Sequence, residues 1–323
     1  MTKTRDSNME LLRITAMVFI LMIHASYRAL PFPDSAAIEA HISSSFLQIL
    51  SRSTFIMGVD LFVMLSGWFG IRPRLSRLSE LLFQILFFGV LCLAAAYVVT
   101  GSLPLSPSQC MLTVLMLNES SYWFIKCYLG LYLFSPILNA FVEHATKRQF
   151  TWVLCALFGF QFAFGWVFEA TSWIRAGYSL PSFMCLYLLA RYMHVHQPRF
   201  TQLSRRTDLA IYLGIVAFVT LTAFTMRRYF NLGGVLFFSK LSFKSKAVNW
   251  LAVSTLAIYL THSSDFLACY YDGAIRQWFY NESRSVFILY SVLMIAGVFF
   301  GSILIDKVRL IVWKGLLRII PFH

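Results

Sequence analysis

The chain has 323 residues, a length that would make about two domains in a soluble protein. Its composition excludes that: 59% of the residues are hydrophobic and 13% charged, against roughly 45–50% and 25% in soluble domains. A soluble enzyme, a disordered segment and a secreted disulfide scaffold fall together, and the formal net charge of +13 needs either a nucleic-acid partner or basic loops on one side of a membrane.

Apolar runs of the length that crosses a bilayer as a helix, roughly 18–20 residues, are predicted at 10–27, 52–70, 80–99, 122–139, 151–168, 177–194, 208–226, 248–266 and 285–305. The charged start (Lys3, Arg5, Asp6) followed by an apolar stretch superficially resembles a signal peptide. Arg13 and His24 lie inside that stretch, however, and no small-residue cleavage site follows. It is read as a retained first helix with the N-terminus in the cytoplasm. Alternate connections then sort by charge. Lys3, Arg5 and Arg13, Arg72, Arg74 and Arg77, Lys147 and Arg148, Arg191, Arg199, Arg205 and Arg206, Lys240, Lys244 and Lys246, and Lys307, Arg309, Lys314 and Arg318 fall on the cytoplasmic side. Arg28, Arg52, Arg175, Arg227, Arg228, Arg276 and Arg284 fall on the other. Membrane insertion produces this bias, so the basic charge needs no nucleic acid.

Charge parity requires one more crossing between Arg228 and Lys240. The segment there, near 229–239, rises only about 18 Å as a helix and is interrupted by Gly233-Gly234. The expected fold is therefore an all-α, polytopic transmembrane helix bundle of about ten spans with a short or broken eighth. Residues 1–323 form one membrane-embedded domain, with 306–323 as an amphipathic tail on the cytoplasmic leaflet. The six cysteines are scattered without any C-x-x-C, so they read as packing residues and no metal site is expected.

Ionisable groups inside spans are costly and mark the chemistry. Arg13 and His24 are close to three turns apart on one helical face, about 16 Å along the axis. They line the two ends of one cavity, or else they are a snorkelling Arg and a hydrogen-bonded His. Asp60, in the second span, orients a nearby His or pairs with Arg52 or Lys126. Lys126, in the fourth, binds an anionic group or pairs with Asp60. Arg72, Arg74 and Arg77 suit bidentate phosphate binding or are topogenic charge alone. His262 ends a late span near the outer face; His194 and His196 read as solvated loop histidines. Trp123, Tyr132 and Tyr259 are candidates for stacking on a sugar or for packing.

Five segments resemble the acyltransferase 3 family of integral membrane acyltransferases. "RDSNMELLRITAMVFILMIH" is similar to its first-helix signature, with Arg13 and His24 eleven positions apart. "GVDLFVMLSGWFGIRPR" is similar to the second, with Asp60 and Arg72. "YWFIKCYLGLYLFSPILN" resembles the fourth, "VNWLAVSTLAIYLTHSS" a late helix ending in His262, and "IDKVR" the family's ending. The resemblance spans nearly the whole chain. It implies a bacterial inner-membrane enzyme that takes an acyl group, usually acetyl, from cytoplasmic acyl-CoA to a hydroxyl of a cell-surface glycan or its lipid-linked precursor. It also implies that His24 and Arg13 are essential and that Arg72 and Arg74 form a second basic element.

The combined expectation has Arg13, Arg72 and Arg74 holding the acyl-CoA phosphates, with acetyl-CoA as cosubstrate and no bound cofactor. His24 acts as general base on the acceptor or takes the acyl group itself, and Asp60 orients it. Lys126, Trp123, Tyr259 and His262 are candidates for the acceptor site. The rival from another class is a transporter or exporter of lipid-linked sugars, which would also use intramembrane Arg and His but often shows internal repeats or paired broken helices.

Overall fold

A computed structural model describes residues 6–27, 29–30, 32–33, 35–117, 122–167, 177–226, 245–264 and 266–319, and all regular structure among them is helical. In chain order the helices are α1 (Ser7–Tyr27), α2 (Ser35–Ala40), α3 (Ile42–Phe55), α4 (Gly58–Phe69), α5 (Leu75–Thr100), α6 (Pro107–Val114), α7 (Trp123–His144), α8 (Lys147–Phe162), α9 (Leu180–His196), α10 (Arg205–Met226), α11 (Lys246–Ala252), α12 (Thr255–His262), α13 (Ala268–Asn281) and α14 (Arg284–Ile319). The short crossing expected near 229–239 lies outside the described residues.

Among the described residues, six segments are long and apolar enough to cross a bilayer: α1, the α3–α4 pair, α5, α7, α10 and α14. Their burial shows what surrounds them. Only 17% of the most apolar window of α14 is buried inside the bundle, and no span exceeds 56%. Val98, Leu133, Phe218 and Ile311 stand largely outward. Water does not tolerate contiguous apolar surface on that scale, whereas lipid does, so the chain is an integral membrane protein. The helices α8, α9 and the interrupted α11–α12 pair complete the bundle, α9 packed between α4 and α7.

Three boundaries differ from the sequence reading. The second span starts at Ile42, not near 52, and runs through α3 and α4 with a bend at Ile56–Met57. Its first half holds Ser43, Ser44, Ser45, Gln48 and Arg52, which lower its hydropathy, but Ser44, Ser45 and Arg52 find partners in the bundle. Ser45, for example, donates to the Ala37 carbonyl (3.1 Å). At the other end of the chain, α14 is one helix of 36 residues, about 54 Å long, so the span runs unbroken into the expected tail as far as Ile319. Arg309 does not lie on a membrane surface. It is 2% exposed, its Nε donates to the buried Asp306 (2.7 Å), and Asp306 also accepts from Gln84 on α5 (3.2 Å). A buried charge is tolerable where it is paired and hydrogen-bonded, and this pair ties α14 to α5. Finally, His194 and His196 close α9 instead of sitting in a loop, with the His194 ring edge-on to Trp68 at 4.9 Å.

Two close contacts set the geometry around α1. Helix α4 lies on it at Gly58, where an added Cβ would come within 2.9 Å of the Ala16 carbonyl and of Ile20. Helices α1 and α11–α12 run parallel and are tied at both ends at a single offset of 238 positions. At one end the Ser245 amide donates to Ser7 Oγ (2.6 Å); at the other His24 meets His262 (2.8 Å). The two ties are about 25 Å apart along α1, close to the ~30 Å hydrocarbon thickness.

Without a hydrophobic drive between helices in lipid, association depends on close backbone approach at small residues. Gly67 on α4 is such a point: a Cβ there would lie 2.5 Å from the Tyr187 carbonyl on α9. Gly67→Val is expected to destabilise the bundle by about 1–3 kcal/mol, read as a lowered midpoint of thermal unfolding in detergent. Gly297→Ala, where a Cβ meets nothing within 4 Å, should leave it unchanged or slightly raised.

Candidate active site

The site is built on the last turn of α1. His24 is half-buried there, and its Nδ1 lies 2.8 Å from Nε2 of His262, the last residue of α12 and only 3% exposed. The rings are tilted by 42° with centroids 5.0 Å apart, so the contact is nitrogen to nitrogen and not a stack. Nδ1 of His262 in turn lies 2.6 Å from the Ile258 carbonyl. Around the pair, Ser263 Oγ sits 3.3 Å from His262 and 3.5 Å from His24. Tyr259 and Tyr271 place their rings 5.9 and 6.5 Å from that of His262. Tyr271 donates to the Leu21 carbonyl (3.4 Å) and Tyr122 to the Leu260 carbonyl (3.3 Å), closing α13 and α7 over the helix ends.

The end of α1 is held by Arg52 of α3. This guanidinium is 3% exposed and donates to Ser26 Oγ (3.2 Å) and to the carbonyls of Ser26 (2.7 Å) and Leu30 (2.6 Å), and it lies 5.1 Å from the Phe32 ring centroid. Carbonyls past the last turn of a helix have no intrahelical donor, and a cation there also complements the helix dipole. Arg52, placed by the sequence among outer connecting charges, thus fixes the turn that carries His24.

The other sequence candidates fall in three places. Arg13 is three turns below His24 and bonds Glu10, one turn away on the same helix. Arg72 and Arg74 lie on the turn after α4, exposed, and neither side chain makes a hydrogen bond or ion pair among the described residues. The turn itself is rigid. Gly70 adopts φ +75° to leave the helix, a conformation that costs glycine nothing. The Ile71 amide donates to Tyr187 (3.0 Å), Tyr187 to Asn139 Oδ1 (2.6 Å), and Asn139 back to the Ile71 carbonyl (2.8 Å). The Arg74 amide donates to Tyr132 (2.7 Å), whose hydroxyl donates back to the Arg74 carbonyl (3.0 Å). Tyr132 therefore holds this loop and is no sugar platform.

Asp60 is not brought to His24. With Gly58 level with Ala16–Ile20, residue 60 stands roughly 12 Å along the bundle axis from residue 24 by helix rise, at a level between His24 and Arg13. The place expected for Asp60 beside His24 is taken by His262. Nor does Asp60 pair with Arg52, whose guanidinium is spent on α1 and the Leu30 carbonyl. Asp60 lies within electrostatic reach of Tyr178, a 40% exposed residue that the sequence did not single out. Tyr178 stands edge-on to Trp123 at 5.0 Å. Lys126 is half-buried in the first turn of α7. Tyr259 is 3% exposed and walled by Phe124 at 5.2 Å, so it is a core residue and not a stacking surface.

Helices standing in lipid around two histidines and a buried arginine define a polytopic membrane protein with an internal polar site. The acyltransferase 3 family model, described as an acyltransferase domain, matches residues 6–307, so the chain belongs to that family and is a membrane acyltransferase. No curated protein and no solved structure matches it.

Arg52→Met removes the three bonds that hold the end of α1 and leaves two carbonyls unanswered. An unsatisfied buried group costs about 1–3 kcal/mol, so the variant is expected to unfold at a clearly lower temperature in detergent than the wild type, with Arg52→Lys intermediate.

Proposed function

We propose that the protein moves an acyl group, acetyl in the first instance, from acyl-CoA at the cytoplasmic face of a bacterial inner membrane to a hydroxyl of a cell-surface glycan or its lipid-linked precursor. In this reading the bundle has about ten spans, the N-terminus is cytoplasmic, and the end carrying Arg13, Arg72 and Arg74 faces the cytoplasm. The observation that supports it is the division along α1. A half-exposed imidazole backed by a buried one stands near one end; exposed, unengaged guanidinium groups on a pinned turn stand toward the other.

That division matches the donor's chemistry. Coenzyme A joins a phosphate-rich head to a long, thin, weakly polar arm ending in the thioester. Guanidinium groups grip phosphates bidentately, so Arg72 and Arg74 hold the head. Arg13, about 16 Å below His24, marks the entry of the arm. His24 then accepts the proton of the acceptor hydroxyl as its oxygen attacks the thioester carbonyl. The Trp123–Tyr178 pair, with Asp60 in reach of Tyr178 and Lys126 nearby on α7, forms the acceptor subsite. The aromatic rings cover sugar C–H faces, and the carboxylate accepts from sugar hydroxyls.

His24→Ala is expected to abolish acyl transfer from labelled acetyl-CoA, a loss of at least a hundredfold, while the protein still inserts and purifies as folded. A variant with full activity would overturn the base assignment. Arg72→Gln with Arg74→Gln should raise the apparent KM for acyl-CoA about tenfold, one power of ten for each 1.4 kcal/mol lost, with kcat little changed. Donor saturation identical to the wild type would remove both residues from the donor site.

A further inference from the structure

The protons on the contact between the two imidazoles can be counted. A carbonyl oxygen only accepts, so Nδ1 of His262, 2.6 Å from the Ile258 carbonyl, carries a hydrogen. In a neutral imidazole the lone pair is then on Nε2. That nitrogen faces Nδ1 of His24 at 2.8 Å, a distance at which one hydrogen must lie between them. A neutral His262 has none to give there, so Nδ1 of a neutral His24 supplies it, and the lone pair of His24 falls on its own Nε2.

We infer that His262 is a positioning residue which, through the chain from the Ile258 carbonyl to His262 to His24, fixes the ring and tautomer of His24 and makes Nε2 the nitrogen that takes the acceptor's proton. This rests on the reading of His24 as the general base. It moves His262 out of the acceptor site, and it gives the place expected for a carboxylate to a neutral ring.

The reaction balances through that one nitrogen. The hydroxyl proton of the acceptor passes to Nε2 as the oxygen forms its bond to the thioester carbonyl carbon. The carbon–sulfur bond breaks, and the departing thiolate takes the proton back from Nε2, leaving ester, free thiol and the neutral dyad. While His24 is cationic, its Nδ1–H bond to His262 becomes charge-assisted, and such bonds are roughly twice as strong as neutral ones. His262 thus stabilises the intermediate state more than the resting one, which is what acceleration requires. Ser263 Oγ, at 3.3 and 3.5 Å from the two rings, sits beside the contact at longer range than the nitrogens themselves. Three further features hold His262 in place: its 3% exposure, the flanking rings of Tyr259 and Tyr271, and the tie between Ser7 and Ser245 at the far end of the same helix pair.

The test is nitrogen-15 NMR of the full chain labelled at histidine, in lipid nanodiscs, with His24 assigned by loss of its signals in His24→Gln. The wild type is expected to show His24 protonated at Nδ1 and bare at Nε2, and His262→Phe to lose that preference. A wild-type His24 protonated at Nε2, or the same tautomer in His262→Phe, overturns the inference. In the transfer assay, His262→Phe should lower kcat at least tenfold with the KM for acyl-CoA unchanged. His262→Gln, whose Oε1 can accept from Nδ1–H, should recover much of it. An unchanged kcat in His262→Phe also overturns the inference. A wild-type protein that transfers no acyl group overturns the proposed function instead, and the NMR result still decides the dyad.

Discussion

The parallel register of α1 with α11–α12 is the constraint on which the site depends. Two hydrogen bonds at one offset, Ser245 to Ser7 and His24 to His262, pin the helices at both ends. Helix α11 is capped by Ser245, whose side chain accepts from the Val248 amide while its own amide goes to Ser7. The break between α11 and α12 near Val253–Ser254 lets the second half of the pair meet the end of α1. A slip of one residue would turn the His262 side chain by about 100° on its helix and separate the rings.

Several costly polar groups at depth are answered by backbone or side-chain partners, and these partnerships carry structural tasks. Arg52 closes the end of α1, Asp306 and Arg309 join α14 to α5, and Tyr187 with Asn139 pins the turn that presents Arg72 and Arg74. In hydrocarbon an unmade hydrogen bond is expensive, so these groups specify which helices meet. The outward faces of the long spans are largely apolar and make few specific demands. Helix α14, with only 17% of its most apolar stretch buried, packs one side against α12 and α13 through residues such as Phe299 and Ile303 and is tied to α5 by the Gln84–Asp306 hydrogen bond.

Several candidate site residues were legible in the chain as ionisable groups inside apolar runs: Arg13, His24, Asp60 and Lys126. Their partners were not. Asp60 was the obvious companion for His24 because a carboxylate usually orients an imidazole, yet it belongs to a helix that meets α1 two turns lower. The companion is His262, 238 positions away. One signal did exist in the sequence: Ser7 and His24 have the same separation as Ser245 and His262. It acquires meaning only once the two helices are known to lie side by side and to run the same way. Arg52 was read as an outer-side charge or a partner for Asp60, and nothing in the local sequence says that Ser26 and the Leu30 carbonyl will be waiting for it.

The sequence by itself determined that the chain lives in a bilayer as helices, since 59% hydrophobic composition arranged in span-length runs leaves no other way to satisfy the backbone. Its ordered motifs also pointed to the acyltransferase 3 family before any helix was placed. What only the tertiary structure decided is which ionisable side chains touch. Lipid gives helices no strong preference for one neighbour over another. The pairing of His24 with His262, the distance to Asp60 and the clamp at Arg52 therefore come from close glycine contacts and hydrogen bonds between segments far apart in the chain.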